Sequence, residues 1–98
     1  MFEFFKFFEK AKQLQEELQE RLGRVRVEGS SGAGMVRVVM DGAKNVLKLE
    51  IDPQLLKPEE RDMLQDLIIA ALNDAGAKAE EEMKKILKEM GLPFGGLF

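Results

Sequence analysis

Residues 24–52, RVRVEGSSGAGMVRVVMDGAKNVLKLEID, decide the fold. Apolar and charged side chains alternate along them at period two, which predicts three strands, Arg24–Glu28, Met35–Met40 and Asn45–Ile51. Val25 and Val27, then Val36, Val38 and Met40, then Leu47, Leu49 and Ile51 fall on one wholly apolar face. Arg37, Lys48 and Glu50 fall on the other. The links Gly29-Ser30-Ser31-Gly32-Ala33-Gly34 and Asp41-Gly42-Ala43-Lys44 are too short for the crossover that parallel pairing requires, so the strands form an antiparallel meander.

On both sides of the meander the period becomes helical. Phe4, Phe8, Ala11, Leu18 and Leu22 follow three- and four-residue steps or their sums, with Phe7 and Leu14 widening the stripe, and Gly23 is the expected stop. The remaining positions are mostly Lys, Gln, Glu and Arg, including an i,i+4 pair of Glu17 with Arg21. A seam this narrow suits a projecting or coiled-coil-like helix. After the sheet, Asp52-Pro53 breaks the strand and Leu55-Leu56 tucks back as a turn. Pro58 suits a first helical position, and Glu59, Glu60 and Asp62 favour the positive end of the helix dipole. Met63, Leu64, Leu67, Ile68, Ala71, Leu72 and Ala75 make a stripe wide enough to cover the sheet. Towards Met90 the stripe thins and charge rises, so this half should extend beyond the sheet.

The fold class is therefore α+β, ordered α-β-β-β-α, in a single domain spanning residues 1–98. The first helix covers about 4–23, the sheet 24–52 and the second helix 58–90, with a mobile glycine-rich tail at 91–98 whose Phe residues could dock on the Phe-rich start. A chain of 98 residues has a thin core, and two weakly amphipathic arms leave apolar seams that a homodimer would cover.

Composition excludes several classes. The net charge of −3 rules out a generic polycation, so any DNA contact must use segregated charge. Without Cys there is neither a disulfide framework nor a thiolate metal site, which is compatible with a reducing cytoplasm. His is absent too, and Ser30 and Ser31 have no evident base, so the chain is not expected to be an enzyme, with no cofactor and no small-molecule substrate. The GSSGAG segment shares only its glycines with phosphate loops, which run from strand to helix, and reads as a turn needing positive φ. Glu80-Glu81-Glu82 point in successive helical directions and form no preformed cation cage. The opening MFEFFKFF is interrupted by Glu3 and Lys6, falls short of a secretory h-region and has no small-residue cleavage site after it, and no stretch approaches a membrane span.

Cations concentrate on the arms: Lys6, Lys10, Lys12, Arg21 and Arg24 near the first helix, and Lys78, Lys84, Lys85 and Lys88 on the second. Lys84, Lys85 and Lys88 make a local ridge. From composition and spacing alone, a DNA-binding surface and a protein-interaction scaffold both stay open. Membrane-surface attachment by the Phe-rich opening lacks the basic polar face that such helices carry.

Three further segments carry a family resemblance. They are Val27-Glu28-Gly29-Ser30-Ser31-Gly32-Ala33-Gly34-Met35-Val36 with Gly42, Ile51-Asp52-Pro53-Gln54-Leu55-Leu56, and Leu64-Gln65-Asp66-Leu67-Ile68-Ile69-Ala70-Ala71-Leu72-Asn73-Asp74-Ala75. In this order they closely resemble the YbaB/EbfC family of bacterial nucleoid-associated proteins, as does the Gln/Glu-rich run Lys12 to Glu20. The resemblance implies a tweezer-like homodimer of α-β-β-β-α subunits, located in the cytoplasm at the nucleoid, that binds duplex DNA and affects nucleoid organisation or gene expression. It also implies that charged residues of the helical arms meet DNA. Here those would be Lys10, Lys12, Arg21, Arg24, Lys84, Lys85 and Lys88, largely without sequence preference. The motif glycines would serve turns, and Asn73-Asp74 helix packing or interface hydrogen bonds. The Phe-rich opening and a shorter first helix depart from the family pattern.

Overall fold

The computed structural model describes residues 1–92, and the expectation for the tail from residue 93 onward lies outside them. The order of elements is α1 (Phe2–Arg24), β1 (Val27–Ser31), β2 (Val36–Met40), β3 (Val46–Ile51), two single 3-10 turns (Pro53–Leu55 and Pro58–Glu60) and α2 (Arg61–Glu89). The α+β class and the α-β-β-β-α order are as expected, and the sheet is an antiparallel meander in the order β1-β2-β3.

α2 lies over β1 and β2 and scarcely reaches β3. Val36, Val38 and Met40 of β2 pack with Leu55, Ala71 and Ala75 as the core, and Leu64, Leu67, Ile68 and Leu72 close around them. Pairing puts Leu49 opposite Val38 and Ile51 opposite Val36, so the β3 residues do share the apolar face. The expectation that α2 covers this whole face needs correction. Val46, Leu47 and Leu49 remain 51%, 48% and 45% exposed, because one helix is too narrow to span three strands.

Strand β1 starts later than the alternation suggested. Val25 caps α1 instead of entering the sheet, and Gly29, Ser30 and Ser31 are paired strand residues opposite Val38, Arg37 and Val36. The turn shrinks to Gly32-Ala33-Gly34-Met35, with the first three at positive φ of 57°, 55° and 88°, and Met35, expected in the second strand, lies just before it. Gly29 and Gly42 are there for close approach, not for turning. A Cβ on Gly29 would fall against the backbone of Ala71 and Ala75, and one on Gly42 would lie 2.8 Å from a Leu22 methyl. These two absences seat α2 on β1 and the end of α1 on the β2–β3 turn, where the Gly42 N–H donates to the Leu22 carbonyl at 2.9 Å.

Helix α1 passes through Gly23 and ends at Arg24, so the expected glycine stop is not used. Leu22 is buried, Leu14 and Leu18 are half-buried, and every residue from Met1 to Gln13 is exposed. At the other terminus, the Leu92 N–H donates to the Leu87 carbonyl and the Gly91 N–H to that of Lys88, with Gly91 at φ 72°. This is a Schellman cap, so Gly91 and Leu92, expected in a mobile tail, belong to the helix end. The molecule measures 66 × 20 × 18 Å with a radius of gyration of 18.2 Å. A compact chain of this length would have about 13 Å.

Candidate nucleic-acid interface

The C-terminal end of α2 runs past the sheet, as expected, and packs beside α1. Leu14, Leu18, Leu87 and Leu92 line a groove of about 420 Å³ between them, with Lys10 at its rim. The Arg21 guanidinium ties the two helices, donating to Glu17 at 2.8 Å and to Glu89 at 3.5 Å. Within one chain, then, the helices form a single stem from which the first three turns of α1 protrude.

The seven cations read from the sequence all lie on this stem but differ in their surroundings. Arg24 is held by Glu20 at 3.0 Å, Lys84 by Glu81 at 3.6 Å and Lys85 by Glu82 at 3.4 Å, so the ridge on α2 is largely neutralised by carboxylates one turn back. Lys10, Lys12 and Lys88 form no ion pair among the described residues. Such pairs are worth little in water and can be exchanged for a phosphate at small cost. Arg21 and Lys10 are separated by about 16 Å of helix, so the cations are distributed along the stem, interleaved on α1 with Glu3, Glu9, Glu16, Glu17 and Glu20.

Sequence reasoning missed a clasp on the outer edge of β1. The Ser30 N–H donates to Asp74 Oδ2 at 3.0 Å, and Lys78 Nζ donates to the Glu28 carbonyl at 2.8 Å and to Asp74 at 3.2 Å. Ser31 Oγ adds a bond to the Leu67 carbonyl at 2.6 Å. The Ser30 N–H, and then Lys78, hold the Asp74 carboxyl below its usual range. Lys78 therefore serves the sheet edge, and Asp74 packs the helix as the motif implied. The i,i+4 spacing of Asp74 and Lys78 was visible, but its target on β1 was not.

Asp41 is the one buried charged residue among those described. Burial pushes its carboxyl up, but hydrogen bonds from the Asn45 side chain and from the Asn45 and Ala43 N–H groups outweigh this, aided by Arg26, and hold it below the usual range. It locks the β2–β3 turn on which α1 rests. No group of carboxylates among the described residues is arranged to hold a metal ion.

An elongated α-β-β-β-α subunit with a charged helical stem defines a class of binding protein built on a small sheet. The model of the YbaB/EbfC DNA-binding family matches residues 1–93, and the chain belongs to that family, which is not one of enzymes. A nucleoid-associated protein of Afipia carboxidovorans is 46% identical over 102 aligned positions, covering 99% of this chain and 97% of its own. One from Bacillus cereus is 45% identical over 84 positions, covering 82% and 76%. The crystal structure of an uncharacterized protein from Helicobacter pylori superimposes with a TM-score of 0.75 at 29% identity, over 89% of this chain and 91% of that one. No helix among the described residues is long and apolar enough to cross a membrane.

Proposed function

We propose that the chain is a nucleoid-associated protein that binds duplex DNA as a homodimer, largely without regard to sequence. In this reading phosphates meet Lys10, Lys12, Arg21, Arg24, Lys84, Lys85 and Lys88 on the helical stems, and bound dimers affect nucleoid organisation or gene expression. The observation that carries it is the stem itself: a charged rod displaced from the core in a member of a DNA-binding family. Dimer formation is supported by the uncovered strip of Val46, Leu47 and Leu49, since a second copy is the natural cover for an apolar sheet face. The net charge of −3 makes the contact dependent on how cations are distributed, and no side-chain arrangement among the described residues suggests a reader of base edges.

If the dimer neutralises on the order of 6 phosphates, log K falls against log salt with a slope of about −5. A gel-shift titration checks this. No binding at low salt, or binding indifferent to salt, would remove the reading. Lys84→Glu combined with Lys88→Glu should weaken binding at every sequence tested.

The apolar groove between α1 and α2 favours a second reading, in which the stem grips a protein partner and the lysines only keep it soluble. There the charge reversals leave partner capture intact and an apolar-to-acid change abolishes it. Leu18→Asp would also unseat α1 from Leu87, so Ala11→Asp, on the exposed stretch of the groove, is the cleaner variant.

A further inference from the structure

Five of the first eight residues are Phe, all at 55–85% exposure on the protruding end of α1, and of the five only Phe7 also borders the groove against Leu87 and Leu92. Their placement on the helix is ordered. Phe4, Phe8 and Ala11 continue the line of Leu18 and Leu22, the face against which α2 packs nearer the sheet. The described part of α2 ends at the level of the groove, and beyond it no described residue covers the same face. The Phe4 and Phe8 rings meet edge to face at 4.8 Å and those of Phe7 and Phe8 at 6.1 Å, so the patch is already assembled.

Charge beside the patch selects its occupant. Glu3 and Lys10 lie two helical turns apart on the same flank of the Phe stripe, and neither has an ion-pair partner among the described residues. A second α1 laid antiparallel, with a twofold axis between Lys6 and Phe7, brings Glu3 of each copy against Lys10 of the other. A parallel copy in register would carry Glu3 and Lys10 of the two copies to opposite sides of the seam, so neither would meet a partner of opposite charge. Four rings from each copy, at on the order of 100 Å² of open surface apiece, approach the about 1,000 Å² that marks a specific interface.

We propose that the N-terminal segments of α1 from two copies pair antiparallel through Phe4, Phe5, Phe7 and Phe8, with reciprocal Glu3–Lys10 contacts. This contact lies at the far end of the stem from the uncovered strip on β3, so it can join subunits that are already paired through their sheets. It does not rest on the DNA reading and is tested without DNA.

Sedimentation equilibrium of the full chain is compared for wild type, Glu3→Lys, Lys10→Glu and the two combined. Each single change turns two attractions into two repulsions and should weaken self-association roughly tenfold. The combined change should return it to within about twofold of wild type. Four species that associate alike, or a combined variant weaker than either single one, would overturn the pairing. Both charged side chains are on the exposed tip, so the fold is not at stake. The chain has no Cys, so Phe7→Cys under mild oxidation should give a disulfide-linked pair of copies, while Gln13→Cys on another face should not. Absence of that link would also overturn the proposal. So would wild type that floats with phosphatidylglycerol vesicles while its association is indifferent to the charge changes, which would assign the face to lipid.

Discussion

Gly29 shows how much can depend on a missing side chain. The Gly29→Ala methyl would have to displace the backbone of α2 at Ala71 and Ala75, and no rotamer change relieves a clash with backbone. The substitution should cost about 3 kcal/mol, the upper end of overpacking penalties, and lower the melting temperature by roughly 15 °C, read by calorimetry. The glycines of the GSSGAG segment were legible as glycines and their turn was legible too. Which of them faced α2 was not, because that contact joins residues more than forty positions apart. Asp41 and Asp74 offer a second test at this scale. Both carboxyls are held below their usual range in the folded chain, so what they contribute is present above the unfolded value of about 4 and is lost as pH falls through the lower folded values. Urea midpoints should therefore drop on acidification below about pH 4. In Asp41→Asn the midpoint should be lower at neutral pH and its fall on acidification shallower.

Among the elements, β3 is the one whose surroundings are incomplete. Period-two alternation located all three strands and their shared face, since alternation is a local property of the chain. How far α2 extends across that face depends on helix width and crossing, which no local pattern encodes. In a Lys10→Glu background, where the α1 contact is weakened as well, Leu49→Lys should consequently leave the helical circular dichroism of the subunit unchanged, because the side chain is nearly half exposed already, while light scattering reports a monomer at concentrations where Lys10→Glu alone is paired. Helix ends were likewise less legible than helix existence. Gly23 reads as a stop, yet the helix runs one residue past it to Arg24, and the Leu22 carbonyl accepts from the N–H groups of both Val25 and Gly42. The cationic positions of the stem were legible from composition. Their pairing with Glu20, Glu81 and Glu82 depended on rotamers as well as on spacing.

For the whole molecule, an acidic chain that binds a polyanion must keep its cations where the acidic remainder does not follow. Among the described residues Lys12 and Lys88 have no carboxylate to give up, and unlike Lys10 they take no part in the proposed α1 pairing, so they should count for more than Arg24, which must first leave Glu20. Replacing Lys12 and Lys88 by Gln should flatten the salt dependence by about 1 for each phosphate that is no longer neutralised, and Arg24→Gln should do less, as measured by fluorescence anisotropy with a labelled duplex. The clasp formed by Asp74 and Lys78 has a bearing on assembly as well. It occupies outward hydrogen-bonding groups of β1, leaving β3, among the described strands, as the one at which another sheet could be added. Two copies that met strand to strand there would make a six-stranded ribbon stoppered at both borders. Growth by that route ends at two, which guards a sheet protein against running on into fibrils.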